Sequence, residues 1–155
     1  KKQMLRDKIN EDIKTAMKSG DGARTGALRM INAAIKQKDI DARTETHKDP
    51  IADAQILSLL QSMIKQRRES IALYEQGGRP ELAAKEQAEI TVIESYLPAQ
   101  VSADEARKII SDIITSTGAS GVKDMGKVMG LVKEKLSGQF DTAEASKLVK
   151  ELLSA

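Results

Sequence analysis

The segment Gly121-Val122-Lys123-Asp124-Met125-Gly126-Lys127-Val128-Met129-Gly130 comes nearest to a chemical motif in this chain. Gly121, four intervening residues, Gly126 and Lys127 match a phosphate-binding loop up to its last position, where Val128 stands in place of serine or threonine. Valine has no hydroxyl to hold magnesium. Such a loop must also follow a β-strand, so that its amides converge on phosphate at a helix N-terminus. The segment reads instead as the start of a helix, with Gly121 in a turn, Asp124 as cap and Lys127 exposed. Gly126 and Gly130 then share a helix face without side chains, at a cost of about 1 kcal/mol each relative to alanine. A close helix–helix crossing would offset that cost, and packing is the expectation. With Lys123, Lys127, Lys133 and Lys135 nearby, close approach of a ligand backbone to a phosphate-facing surface is the alternative.

Other chemistry is sparse. His47 is the only histidine and lies in a polar stretch, so it supports neither a histidine metal cluster nor a catalytic triad. Cysteine is absent, which removes thiol nucleophiles and zinc-thiolate sites and fits a cytoplasmic protein. No metal or cofactor is expected, and no catalytic residue is singled out. The many carboxylates alternate with Lys and Arg at helical spacing, as in Lys85-Glu86 and Glu89, where they make surface pairs worth tenths of a kcal/mol. Gln66-Arg67-Arg68-Glu69 is more pointed: Arg67 lies near an apolar stripe, between Ile64 and Ile71. An arginine there snorkels or pairs with a carboxylate, or else reaches a ligand or RNA phosphate.

The elements that must position these residues are helical from end to end. Leu5, Ile9, Ile13 and Met17 form a first stripe, stopped by Gly20-Asp21-Gly22. A second helix carries Leu28, Ile31 and Ile35 and fades near Asp39 to Arg43, before a polar segment from Ala42 to Asp49. Asp49-Pro50 resembles an N-cap with proline at the first helical position. A long helix follows to Gln76, with Ile56, Leu59, Leu60, Met63, Ile64, Ile71 and Tyr74 inward. Gly77-Gly78-Arg79-Pro80 separates it from a helix that breaks at Leu97-Pro98, because proline disfavours helical geometry in the residue before it. The last third reads as three short helices. Ser102 with Glu105 is a capping box opening a face of Ala106, Ile109/Ile110 and Ile113/Ile114. A helix from about Asp124 turns Met125, Val128/Met129, Val132 and Leu136 inward and ends at Gly138. Asp141 with Glu144 opens the last helix, with Ala145, Leu148/Val149 and Leu152. The expected fold is all-α: an N-terminal helical domain with long helices over 1–98 and a C-terminal three-helix bundle over 99–155.

Composition supports that reading. Hydrophobic residues make up 40% of the chain and charged residues 31%, and no run approaches the ~18 consecutive apolar residues of a membrane span. The opening Lys1-Lys2-Gln3-Met4-Leu5-Arg6-Asp7 leads straight into charge, which is no signal-peptide pattern. Only Tyr74, Tyr96 and Phe140 are aromatic, so the core must be aliphatic, as in helical bundles. Net charge is only +2, but residues 1–48 carry 12 basic and 7 acidic side chains, the one biased third of the chain. A solvated helix face explains that bias, and a nucleic-acid footprint is compatible with it.

Several segments together resemble the YqeY family, small proteins related to the C-terminal tail of GatB, the B subunit of the tRNA-dependent amidotransferase. They are Leu28-Arg29, Ile64-Lys65-Gln66-Arg67-Arg68-Glu69-Ser70-Ile71, Gly78-Arg79 with Leu82, Ala88-Glu89-Ile90, Tyr96-Leu97-Pro98, Lys123-Asp124-Met125-Gly126-Lys127-Val128-Met129, Gly138 with Asp141, and Leu148-Val149-Lys150. The likeness covers nearly the whole length. One departure stands out: the family usually reads Gly-Arg-Ala-Asp where this chain has Gly138-Gln139-Phe140-Asp141, which removes a positive charge from that turn.

The resemblance implies a helical N-terminal domain and a three-helix domain similar to the amidotransferase tail, which helps to hold tRNA while other domains do the chemistry. It implies a tRNA- or RNA-binding accessory protein with no complete catalytic site. The candidate RNA contacts are Lys123, Lys127, Lys133, Lys135, Arg67, Arg68 and Arg29, with Gly126, Gly130 and Gly138 as close-approach glycines. With three aromatics in all, stacking on single-stranded bases is disfavoured, and phosphate and shape recognition are expected. The alternatives are a helical adaptor for translation or aminoacylation proteins, and an amidotransferase-like carbon–nitrogen ligase activity, with glutamine as amido donor, that needs a partner.

Overall fold

The computed structural model describes residues 4–155. Lys1-Lys2-Gln3, part of the stretch read as lacking a leader pattern, lies outside the described residues. The described residues form seven α-helices and no strand, an all-α protein. Contacts divide the chain into two compact units, one ending at Leu97 and the other beginning at Pro98.

The first unit holds α1 (Leu5–Ser19), α2 (Gly22–Asp41), α3 (Asp53–Gln76) and α4 (Pro80–Glu94). Gly20, with φ of 75°, ends α1 in the left-handed conformation that glycine adopts without strain. The Asp21 side chain then accepts the Arg24 amide at 3.0 Å to cap α2. Proline at the first position of α4 follows Gly78, whose φ is 69°. Ile9, Leu28, Ile31, Ile35, Ile56, Leu60, Ile90 and Ile93 are buried in one aliphatic core. Each contributes about 1.5–3 kcal/mol by leaving water.

Two expectations need correction here. Met17 is 54% exposed, and Ala16 takes its place in the core, because α1 turns its last apolar position toward solvent. The long helix starts at Asp53 rather than at Asp49-Pro50. Ile51 is drawn into the core before the helix begins, and a clamp holds its backbone on both sides. Asp39 accepts the Ile51 amide at 2.9 Å, and Arg6 donates to the Ile51 carbonyl at 3.3 Å. Arg6 grips both carboxylate oxygens of Asp39, at 2.8 and 2.9 Å. That guanidinium holds the Asp39 carboxyl below its ordinary range. Elsewhere in the unit the Tyr96 hydroxyl donates to Asp12, and burial together with that carboxylate pushes the phenol's pKa up.

The second unit is a bundle of α5 (Ala103–Thr117), α6 (Met125–Leu136) and α7 (Thr142–Ser154), each touching the other two. The Ser102 hydroxyl accepts the Glu105 amide at 3.2 Å, which closes the N-terminal cap of α5. A single 3-10 turn, Val122–Asp124, leads into α6. Ala106, Ile110, Val128, Val132, Leu136, Ala145, Val149 and Leu153 make the core. The last helix thus buries Leu153 in preference to Leu152, and Asp141 stands at its N-cap without a side-chain cap bond.

Candidate functional site

Among the expected RNA contacts, the structure separates those held by their own unit from those left to solvent. Arg67 is held. Its side chain is only 15% exposed, with Nε 3.0 Å from Glu89 and 3.9 Å from Glu86. It also donates to the Met63 carbonyl at 3.1 Å and lies against the Met30 sulfur. One guanidinium therefore ties α3 to α4 and reaches α2, and its donors are committed. Arg67 is corrected from an RNA contact to an internal tie. Arg68 is 64% exposed, with Glu94 no nearer than 4.0 Å, and Arg29 is exposed and lies 3.3 Å from the Met17 sulfur. These two remain available.

Gly138 is also internal. It is buried with φ of 73°, so glycine is needed for the turn itself. Its carbonyl accepts Gln100 Nε2 at 2.8 Å, and the neighbouring Gln139 carbonyl accepts the Val101 amide at 2.9 Å. The turn fastens the start of its own unit.

Gly126 and Gly130 behave oppositely. Both are exposed, and a methyl group at either would meet no atom within 4 Å outside its own helix backbone. The packing expectation is overturned within this unit: the bundle is built by Val128, Val132 and Leu136 on the other side of α6. Helical geometry at about 100° per residue sets the two glycines side by side, Lys133 on one flank and Lys127 with Glu134 on the other. Lys123 stands in the turn just before them. Lys123, Lys127, Lys133 and Lys135 are all exposed, and none forms an ion pair with a described residue. They do not form one cluster, because Lys135 projects on the far side of α6, beside a groove against α5.

That groove escaped the sequence reading. Ile109, Ile113 and Leu131 line it together with Asp112, Ser116, Thr117, Glu134 and Lys135. Its signal was present: the doublets Ile109/Ile110 and Ile113/Ile114 make an apolar stripe broader than one core contact requires, and of these four only Ile110 is fully buried. Among the described residues, no group of three or more His, Cys, Asp or Glu could hold a metal ion.

Fold and site define a small all-helical protein of two units, the second carrying an exposed, side-chain-free helix strip bordered by exposed lysines. The chain belongs to the YqeY family, described as Yqey-like protein, which matches residues 6–153. It is similar to proteins named "Altered inheritance of mitochondria protein 41, mitochondrial". The one from Pyrenophora tritici-repentis is 29% identical over 96% of this chain and 80% of its own length. The one from Meyerozyma guilliermondii is 33% identical over 87% of this chain and 69% of its own. In the Eremothecium gossypii protein the 33% identity spans 59% of this chain and 48% of the relative, so this match takes in about half of that relative's length. These names overturn the expectation of a cytoplasmic protein, since the matching relatives are mitochondrial by name. The absence of cysteine says only that no disulfide is needed, and it does not choose among reducing compartments.

Proposed function

We propose that this chain is an RNA-binding accessory protein whose second unit lays the exposed strip of α6 against the phosphate backbone of tRNA or another structured RNA. The observation that carries this reading is the pair Gly126 and Gly130, open on a solvent face and bordered by Lys127 and Lys133. Exposed helix glycines cost about 1 kcal/mol each and contribute nothing to their own bundle's packing. Close approach of a backbone too bulky to pass a side chain is a physical reason to keep them. The flanking ammonium groups supply point charges for phosphate. The sole aromatic of this unit, Phe140, packs against the core, which favours phosphate and shape over base stacking. The family's relation to the amidotransferase tail supports the same partner, and any carbon–nitrogen ligase chemistry falls to a partner protein.

Fluorescence titration with bulk tRNA at about 50 and 200 mM salt tests the proposal, with binding expected to weaken steeply over that interval. A Gly130→Leu variant removes no charge, its Cβ meets no atom within 4 Å outside its own helix backbone, and it should weaken binding on the order of tenfold by blocking approach. Undiminished binding by that variant, or no binding of the parent protein at low salt, defeats the reading.

A further inference from the structure

The α5–α6 groove has a chemistry unlike the glycine strip. Ile109, Asp112, Ile113, Ser116 and Thr117 follow one another at helical spacing along a single face of α5, over a little more than two turns, or about 12 Å. Leu131, Glu134 and Lys135 form the facing edge on α6, and the space between them is about 530 Å³. Leu131 is 38% exposed, and the half-buried Ile109 and Ile113 complete an apolar floor. Asp112 and Glu134 stand exposed on the two rims, and neither is in an ion pair with a described residue. Lys135 is the only cation in the lining.

We infer that this groove docks a basic amphipathic helix of a partner protein, its apolar residues seated on Ile109, Ile113 and Leu131 and its cations facing Asp112 and Glu134. Two helical edges over an apolar floor match the way a helix lies in a groove, with anchors repeating every three or four residues. The rim carboxylates choose the sign of the occupant. They outnumber Lys135, the one cation in the lining, and favour Lys or Arg on a visiting helix. Glu134 lies one helical turn beyond Gly130, so the groove's α6 rim adjoins the end of the glycine strip.

The probe is a helical peptide of about 16 residues with leucines at i, i+3 and i+7 and flanking Lys and Arg. It is compared with the same leucine pattern flanked by Glu, by methyl NMR on the RNA-free full chain. The basic peptide is expected to shift the Ile109, Ile113 and Leu131 methyls, and the acidic one to bind more weakly. Leu131→Gln, at an exposed position, should lower affinity on the order of tenfold. The paired change Asp112→Asn with Glu134→Gln should lower it about threefold or more while leaving the melting temperature unchanged, which reports on the rims even if the leucine variant melts early. No methyl shift at millimolar peptide, or equal affinity for the acidic peptide, overturns the proposal. Groove methyls that move with protein concentration alone would give the surface to a second copy of this chain, which also overturns it.

Discussion

Arg67 of the first unit and Lys127 of the second unit are alike as sequence, each a cation close to an apolar helix stripe. Their surroundings make them different instruments. Arg67 is enclosed by Glu86, Glu89, the Met63 carbonyl and Met30, so its charge is spent within the unit. Lys127 stands in solvent beside two glycines and has no ion-pair partner among the described residues. A planar fork suits a partly buried tie among several acceptors, and a flexible ammonium suits an exposed surface that a polyanion can visit. Positive charge near a helix stripe is therefore no guide to RNA contact until the neighbouring carboxylates are placed.

That contrast can be broken by substitution. Arg67→Ala strands two part-buried carboxylates and should cost about 2–3 kcal/mol, read by urea denaturation of the full chain. Arg6→Ala opens the clamp on Ile51 and should cost about 1–2 kcal/mol by the same measurement. Because Asp39 is held below its ordinary pKa by Arg6, its contribution is fully present above the unfolded carboxyl value of about 4 and is lost as pH falls through the folded value. Stability measured downward from pH 5 should accordingly fall less steeply in Asp39→Asn than in the parent.

Lys127→Gln with Lys133→Gln should leave stability within about 0.5 kcal/mol, as surface changes do. Gly126→Ala and Gly130→Ala should each raise stability by about 0.5–1 kcal/mol, since the added methyl meets open space. A loss of stability in either glycine variant would show that the strip is packed after all.

The helices and the cores were legible because apolar spacing and local stop signals are short-range. Gly20, Pro80, Ser102 and Gly138 punctuate the chain as their chemistry demands. The start of α3 was not legible, because the Asp49-Pro50 signal is local while Ile51 is held by Arg6 and Asp39, distant in sequence. The candidate site divided the same way. Its residue types could be named, but whether Arg67 has a partner depends on Glu86 and Glu89 across a helix hairpin. Whether Gly126 packs depends on which side of α6 faces the bundle, and the stripe of Val128, Val132 and Leu136 already pointed away from both glycines. The groove was hidden because Ile109 and Ile113 serve twice, packed against the core and still partly open at its edge.

The most direct test of the central claim is the salt dependence of tRNA affinity, measured for the parent chain and for Lys127→Gln with Lys133→Gln. If α6 meets the phosphate backbone, the variant should bind about three- to tenfold more weakly at low salt, and the slope of log affinity against log salt should shrink by about 1.4–1.8. Equal affinity and equal slope for the two proteins would contradict the account.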